Sequence, residues 1–272
     1  MLAHVSPKGV RHWGRDAGHA VFCLLFPSPC RLCGVPLQHA RRLPVCPACL
    51  NAAAAPAGLD IDPGIVGCSQ CGDPVPAPAE DGLCLACHTS PPAYACARAA
   101  TVYSGAAREL ILQLKFHGLR PAAAFWAQRL EPLARARPEL PDVVIPVPLG
   151  RRRQRQRGYN QSADIARHLA RRLACAYTPA ALRRRRETAP QSGLDRAARI
   201  RNLDGAFAAS PRVAGQRVLL IDDVFTTGAT VHAAAAALRR AGARQVVVLT
   251  AARAALEFAA AAAPCNATGS AA

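Results

Sequence analysis

Lysine is almost missing from this 272-residue chain: Lys8 and Lys115 are the only two, so the formal charge of +17 comes almost wholly from arginine. Such an arginine excess, set among so much alanine, follows from coding bias as readily as from nucleic-acid binding. The charge therefore assigns no partner, although it favours polyanions, nucleic acid or an anionic membrane face among them. Aromatic residues make up only 5%. Near the basic runs of the carboxyl-terminal half there are just Tyr159, Tyr177 and Phe207, too few stacking surfaces for sequence-specific reading of bases. No apolar run reaches the roughly 18 residues that a transmembrane helix needs. Ala20 to Phe26 is apolar and follows Lys8, Arg11 and Arg15, but no small-residue cleavage pattern comes after it. It reads as a short core-facing helix, not a signal peptide. With 51% apolar residues, the chain can bury one full core plus a small appended module.

Cysteine, by contrast, is plentiful and periodic. Cys30, Cys33, Cys46 and Cys49 recur as Cys68, Cys71, Cys84 and Cys87, each displaced by 38 positions, and the flanks repeat as CRLCGVP and CSQCGDP, then CPAC and CLAC. Paired C-x-x-C units separated by about a dozen residues match zinc knuckles, in which a tight turn aims both thiolates of a pair inward. Gly34 and Gly72 fit the turn. Disulfides are disfavoured without an export signal, and a redox C-x-x-C would not recur four times in register; an iron–sulfur or degenerate site stays open. The metal reads as structural, because about sixty residues with few large apolar side chains could not fold without it. His88, beside Cys87, reads as exposed. Spacing does not decide between sequential and cross-braced pairing, of which the sequential is simpler. Two tetrathiolate zinc sites would each contribute about −2, lowering the net charge to roughly +13. Cys23, Cys96, Cys175 and Cys265 lie outside the repeat and read as small hydrophobes or incidental thiols.

After a Pro-rich stretch at Pro74 to Asp81 and a linker at Ser90 to Ala93, the pattern changes to alternating strand and helix. Ala99 to Tyr103 suits a strand. Ser104 can cap a helix that buries Leu110, Ile111 and Leu114 and stops at Gly118. Lys115, in the last turn, either complements the helix dipole or binds phosphate. Asp142 to Leu149 suits a buried strand, followed by a basic loop from Arg151 to Ser162. Asn160 or Ser162 caps the next helix, which carries Ile165, Leu169 and Leu173 on one face. Glycine, arginines and a helix start at a strand's carboxyl end suit a pyrophosphate. The long polar connection from Arg183 to Phe207, with Gln191, Leu194, Arg199 and Asn202, reads as a lid or binding loop.

The most informative segment is VLLIDDVFTTGAT, Val218 to Thr230. Its apolar start is what a parallel strand buried on both faces requires, and Asp222 and Asp223 emerge at the carboxyl end, where open α/β sheets hold ligands. Thr226, Thr227, Gly228, Ala229 and Thr230 then form a turn leading into an Ala-rich helix, from Val231 to Arg240. Backbone N–H groups and hydroxyls there converge on one point suited to a phosphate monoester. No GKS or GKT follows the glycine, which sets a P-loop aside.

This string resembles the phosphoribosyl pyrophosphate (PRPP) signature of type I phosphoribosyltransferases. Together with the double C-x-x-C modules, LILQLKFHG, IPVPL with RGYNQ, and TAPQSGL with RN, in that order, it resembles the ComF family, also called ComFC or GntX-like, from about residue 22 to about residue 253. Phe225 occupies a position that the family fills loosely. The resemblance implies an α/β fold with an open, mainly parallel sheet, residues 96–256, preceded by a small four-cysteine zinc-binding module with its double C-x-x-C pattern, residues 22–92, and with flexible tails at 1–21 and 259–272. It implies a site for PRPP or a related phosphoribosyl ligand with Mg²⁺. There Asp222 and Asp223 would face the ribose hydroxyls, Thr226 to Thr230 would wrap the 5′-phosphate, and Lys115, Arg157, Gly158, Tyr159, Asn160 and Gln161 would serve the ligand. The implied role is natural transformation, with single-stranded DNA and the uptake machinery as partners, in the cytoplasm or at the inner face of the membrane. The alternative is an active transferase that passes ribose 5-phosphate from PRPP to an acceptor and releases pyrophosphate.

Overall fold

The computed structural model describes residues 28–39, 41–55, 66–75, 81–186, 203 and 205–254. Expectations for Ala20 to Phe26, for both tails, for Cys23 and Cys265, and for Gln191, Leu194, Arg199 and Asn202 lie outside these residues.

The cysteine-rich part contains α1 (Pro47–Ala53), a small antiparallel pair of β1 (Val66–Gly67) and β2 (Pro74–Val75), and α2 (Leu85–Thr89). Next come β3 (Cys96–Val102), α3 (Gly105–Phe116), α4 (Ala122–Arg135), β4 (Val143–Pro146), α5 (Arg151–Arg157), α6 (Gln161–Leu173) and β5 (Ala176–Tyr177). The remainder is β6 (Leu182–Arg184), β7 (Phe207–Ala209), β8 (Arg217–Phe225), α7 (Ala229–Arg240) and β9 (Gln245–Arg253). Five strands form one parallel sheet in the order β3-β9-β8-β4-β5, while β6 and β7 pair as a separate antiparallel hairpin at the base of the long polar connection.

Side-chain alternation sorts the core onto the two faces of this sheet. Val144, Leu219, Ile221 and Leu249 belong to the cluster formed with α3, α4 and α6. Val143, Ile145, Val218, Leu220, Val246 and Val248 belong to the cluster formed with Ala234, Ala235 and Leu238 of α7. The chain thus leaves β4 toward helices on one face and leaves β8 toward a helix on the other. The adjacent β4 and β8 mark the topological switch point, outside whose carboxyl ends open α/β sheets bind ligands.

The two cysteine repeats straddle edge strand β3. Residues of the first, Cys30, Val45, Cys46 and Ala53, join the core on the α3 side; Cys68, Cys71 and Cys87 of the second join the core on the α7 side. The Thr101 hydroxyl donates to the Ala55 carbonyl at 2.5 Å, and the Ala97 N–H donates to the Gln70 carbonyl at 2.7 Å. The Ala97 N–H is a backbone group that a bare edge would offer to another chain, and the repeat takes it up.

Two local expectations need correction. The segment from Arg151 to Arg157, expected to be loop, is helix α5, with no buried residue. Arginine and glutamine are good helix formers, yet with no apolar face they leave no periodic signal. Gly158 ends this helix at φ +76. Ser104 does precede α3, but its side chain makes no capping hydrogen bond.

Candidate functional site

Strand β8 delivers Asp222 and Asp223 to the mouth of the switch point, and the first turn of α6 meets both. Asn160 caps α6: its Oδ1 accepts from the N–H groups of Ser162 and Ala163 at 3.0 and 3.4 Å, while its Nδ2 donates to the Val147 carbonyl at 2.9 Å. The cap fixes Gln161 and Ser162 against the acids. Gln161 Nε2 donates to Asp223 Oδ2 at 2.5 Å, and Ser162 Oγ donates to Asp222 Oδ1 at 2.9 Å. Arg157 Nη1 donates to Gln161 Oε1 at 2.5 Å and its guanidinium stacks 4.9 Å from the Phe116 ring centroid. From the end of α3, Lys115 Nζ reaches Asp223 Oδ1 at 3.1 Å. Asp223 is only 5% exposed, and Lys115 and the Gln161 amide give each of its oxygens a partner.

Among the sequence-selected residues, Lys115, Arg157, Gln161, Asp222 and Asp223 therefore form one hydrogen-bonded network. Tyr159 and Asn160 support it from behind. The Tyr159 hydroxyl donates to the Leu114 carbonyl, its ring lies under Arg120 at 5.3 Å, and Arg120 grips the buried Asp164 of α6 through two hydrogen bonds of 2.7 and 2.8 Å. Gly158 supplies the left-handed turn that joins α5 to this segment. Sequence reasoning missed Ser162 as a partner of Asp222 and missed the Arg120–Asp164 clamp. By sequence alone Ser162 is a possible cap.

Beyond the acids, β8 ends at Phe225 and the chain bends through Thr226 and Thr227 to Gly228, which stands at φ +76, before α7 begins at Ala229. A Cβ on Gly228 would lie 2.6 Å from Phe225 Cζ, so glycine is required for both its torsion and its size. Thr226 is exposed, Thr230 is half-buried, and the Thr227 Oγ1 is buried with no hydrogen-bond partner among the described residues. Among the described residues no side chain caps α7. A buried hydroxyl and a helix start without a side-chain cap, side by side, are polar groups that an anion could satisfy.

Desolvation, together with the adjacent charge of Asp223, pushes the Asp222 carboxyl up to about 7; the Ser162 hydrogen bond and Lys115 pull the other way. Because this lies above the ordinary 3.8, the folded chain holds the proton more tightly than the unfolded chain. The stability due to that proton is complete below about pH 4 and is lost as pH rises through about 7. Asp222→Asn, whose Oδ1 still accepts from Ser162, is expected to match the wild type near pH 4. At pH 8 it should be more stable by about 1.4 kcal/mol or more, one tenfold step in the folding constant. Urea melts of both proteins across this range check the sign.

The cysteines gather as the spacing suggests, repeat by repeat. Cys30, Cys33, Cys46 and Cys49 form one cluster and Cys68, Cys71, Cys84 and Cys87 the other, all thiol sulfurs of a cluster lying within 4.8 Å of one another. The Cys33–Cys46 and Cys71–Cys84 sulfur separations of 3.7 and 3.6 Å are close to the edge of about 3.8 Å in a tetrahedron with Zn–S bonds of about 2.3 Å. Backbone N–H groups of Cys46 and Cys84 point at Cys30 and Cys68 Sγ, each at 3.3 Å. Burial raises both thiols, yet these and other N–H donors outweigh it and bring each down to about 6, whereas burial pushes their cluster mates Cys49, Cys71 and Cys87 up. Gly34 and Gly72 take the left-handed turns at φ +77 and +75. His88 is exposed, and Asp73, which the cysteine spacing does not single out, packs against Cys71. Of the remaining thiols, Cys96 is buried and Cys175 half-buried.

Comparison with known proteins places this arrangement. The phosphoribosyl transferase domain family matches residues 160–262. A protein of Escherichia coli O6:H1 named DNA utilization protein YhgH is 35% identical over 213 residues, covering 76% of this chain and 89% of that protein. Competence protein F of Haemophilus influenzae is 38% identical over 97 residues, 35% of this chain and 42% of that protein. Competence protein ComFC of Bacillus subtilis is 28% identical over 138 residues, 50% of this chain and 55% of that protein. The chain belongs to the ComF family. In this ComF protein the matched transferase domain begins at Asn160, the cap of α6, and so takes in the acids and the bend but not Lys115, Arg157 or either cysteine cluster. Among the described residues no helix is long and apolar enough to cross a membrane.

Proposed function

We propose that this ComF protein binds PRPP, or a phosphoribosyl ligand like it, at the carboxyl ends of β4 and β8, and that it acts in the handling of single-stranded DNA during natural transformation. The observation that carries the ligand reading is the Thr227 hydroxyl, buried without a partner among the described residues in a glycine bend that follows directly on an acid pair held by α6 and Lys115. The 5′-phosphate fits that bend. Ribose hydroxyls fit Asp222, whose two hydrogen bonds among the described residues fall on Oδ1 and leave Oδ2 as an acceptor there, whereas Asp223 is already engaged by Lys115 and Gln161. Mg²⁺ would accompany the ligand's pyrophosphate and neutralise its charge, with the exposed arginines of α5 close by. The two four-cysteine clusters fit zinc in a structural role, since all four positions of each are thiols. The names of the relatives, one for DNA utilization and two for competence, support the DNA role, and the exposed arginine helix α5 suits a phosphate backbone. The protein would work in the cytoplasm or against the inner membrane face, beside the uptake machinery.

Titration calorimetry with PRPP and Mg²⁺, and with single-stranded DNA over a salt series, tests both halves. Asp222→Ala with Asp223→Ala should lower PRPP affinity at least about tenfold, the loss of the charge-assisted contact of Asp222, ~1.5–3 kcal/mol, with DNA binding unaltered. A wild type that ignores PRPP would overturn the ligand reading. DNA binding without a steep fall against the logarithm of salt would overturn the phosphate-tracking role. Release of pyrophosphate from PRPP only when an acceptor is added would favour the active-transferase alternative.

A further inference from the structure

Arg253, the last residue of β9, is 7% exposed and touches two parts of the molecule that the ligand reading treats separately. On one side its Nη1 pairs with Asp73 Oδ1 and its Nη2 donates to the Cys71 carbonyl. Both partners belong to the second cysteine repeat: Cys71 is one of the four clustered thiols, and the Asp73 N–H donates to its sulfur at 3.4 Å. On the other side the guanidinium carbon lies over the Phe225 ring, 4.0 Å from its centroid. That ring is the surface against which Gly228 closes, at a spacing that would put a Cβ 2.6 Å from Cζ. Tyr94 packs edge-on to the same ring at 6.4 Å between centroids.

The stack is therefore continuous: cysteine cluster, guanidinium, phenyl ring, bend. It is also closely packed at its far end, because Gly72, between Cys71 and Asp73, sits where a Cβ would be 2.8 Å from the Ala97 carbonyl of β3. The knuckle cannot shift without moving against the sheet edge or releasing Arg253. A buried guanidinium deprived of the Asp73 carboxylate would have to find another partner or pull toward water, and either movement uncovers Phe225. Phe225 in turn has the glycine bend as its neighbour.

We propose that the second cysteine cluster, with its metal in place, sets the conformation of the phosphate-binding bend through Arg253 and Phe225, so that Arg253 is a positioning residue for the ligand site. The inference rests on reading that bend as the place of a phosphoribosyl ligand. Cluster integrity then controls affinity at the bend, and breaking the Asp73–Arg253 link loosens the bend while the sheet stays folded.

The test is a double-mutant cycle on the full chain, read by affinity for ribose 5-phosphate and by hydrogen exchange at the amides from Gly228 to Val231. Arg253→Met is expected to weaken ribose 5-phosphate about tenfold and to speed exchange at those amides, with exchange in α6 unaltered. Cys84→Ser, checked for loss of one metal, should do the same, and the two together should cost no more than either alone. If Cys84→Ser does not fold, Asp73→Asn takes its place, breaking the link while keeping all four thiols. Additive losses, or bend amides that exchange at the wild-type rate in Arg253→Met, would overturn the coupling. A wild type that binds no ribose 5-phosphate would instead defeat the ligand reading, and the exchange data would still decide the coupling.

Discussion

Stripping the metal with a strong chelator is expected to unfold the protein cooperatively, not to peel away one module. Structural zinc in small tetrathiolate domains is worth about 10–16 kcal/mol of apparent binding free energy, against a total domain stability of about 5–15 kcal/mol. Here the cluster residues Cys30 and Cys46 on one side, and Cys68, Cys71 and Cys87 on the other, are part of the same two cores that hold the sheet. The purified protein should carry two zinc ions, one per cluster, and Cys30→Ser and Cys68→Ser should each remove one. Metal analysis with a thermal melt followed by circular dichroism checks both statements. Zinc content below about one per chain would contradict the assignment, and so would a melt that a chelator leaves unmoved.

A second large effect is expected at the bend. Gly228→Ala forces an L-residue to φ +76, at a cost of about 1–2 kcal/mol, and drives a methyl to within 2.6 Å of Phe225 Cζ, adding overpacking of about 1–3 kcal/mol. The sum of about 2–5 kcal/mol should lower the melting temperature by roughly 5–15 °C in a protein of this size. Gly158→Ala provides the comparison. Gly158 also stands at φ +76, but nothing lies within 4 Å of a Cβ there, so only the torsional part, about 1–2 kcal/mol, should appear. Calorimetric melts separate the two. Equal losses would show that Phe225 yields freely and would remove the steric reason for glycine at 228.

Much of this architecture could be read from residue order, because the features concerned are local. The cysteine periodicity, the apolar run into Asp222 and Asp223, the glycine bend and the start of α7 each occupy a few consecutive residues whose types are mutually constraining. What could not be read depends on chain segments that meet only after folding. Lys115 offered two readings, a dipole complement or a phosphate ligand, and the geometry adds a third contact, with Asp223 at 3.1 Å. Ser162 gave the signal of a helix cap, but Asn160 fills that place and the hydroxyl turns to Asp222. Helix α5 escaped because a run of arginine and glutamine has no apolar side to repeat. Phe225 looked loosely specified in one dimension. In three it carries Arg253 on one side and Gly228 on the other, and neither Arg253 nor Asp73 had any sequence neighbour to suggest the pairing.

The way the two cysteine repeats clasp the outer sheet strand has a practical consequence for dissecting the protein. A fragment beginning at the first residue of that strand would look, by sequence, like a self-sufficient transferase domain. It would nevertheless be born with oily patches laid bare on both sides of the sheet and with hydrogen-bonding backbone open along its rim, the conditions under which chains stick to one another. Such a truncation should be recovered from cells as insoluble material, and any activity it lacks would say nothing about what the cysteine-rich half contributes to chemistry.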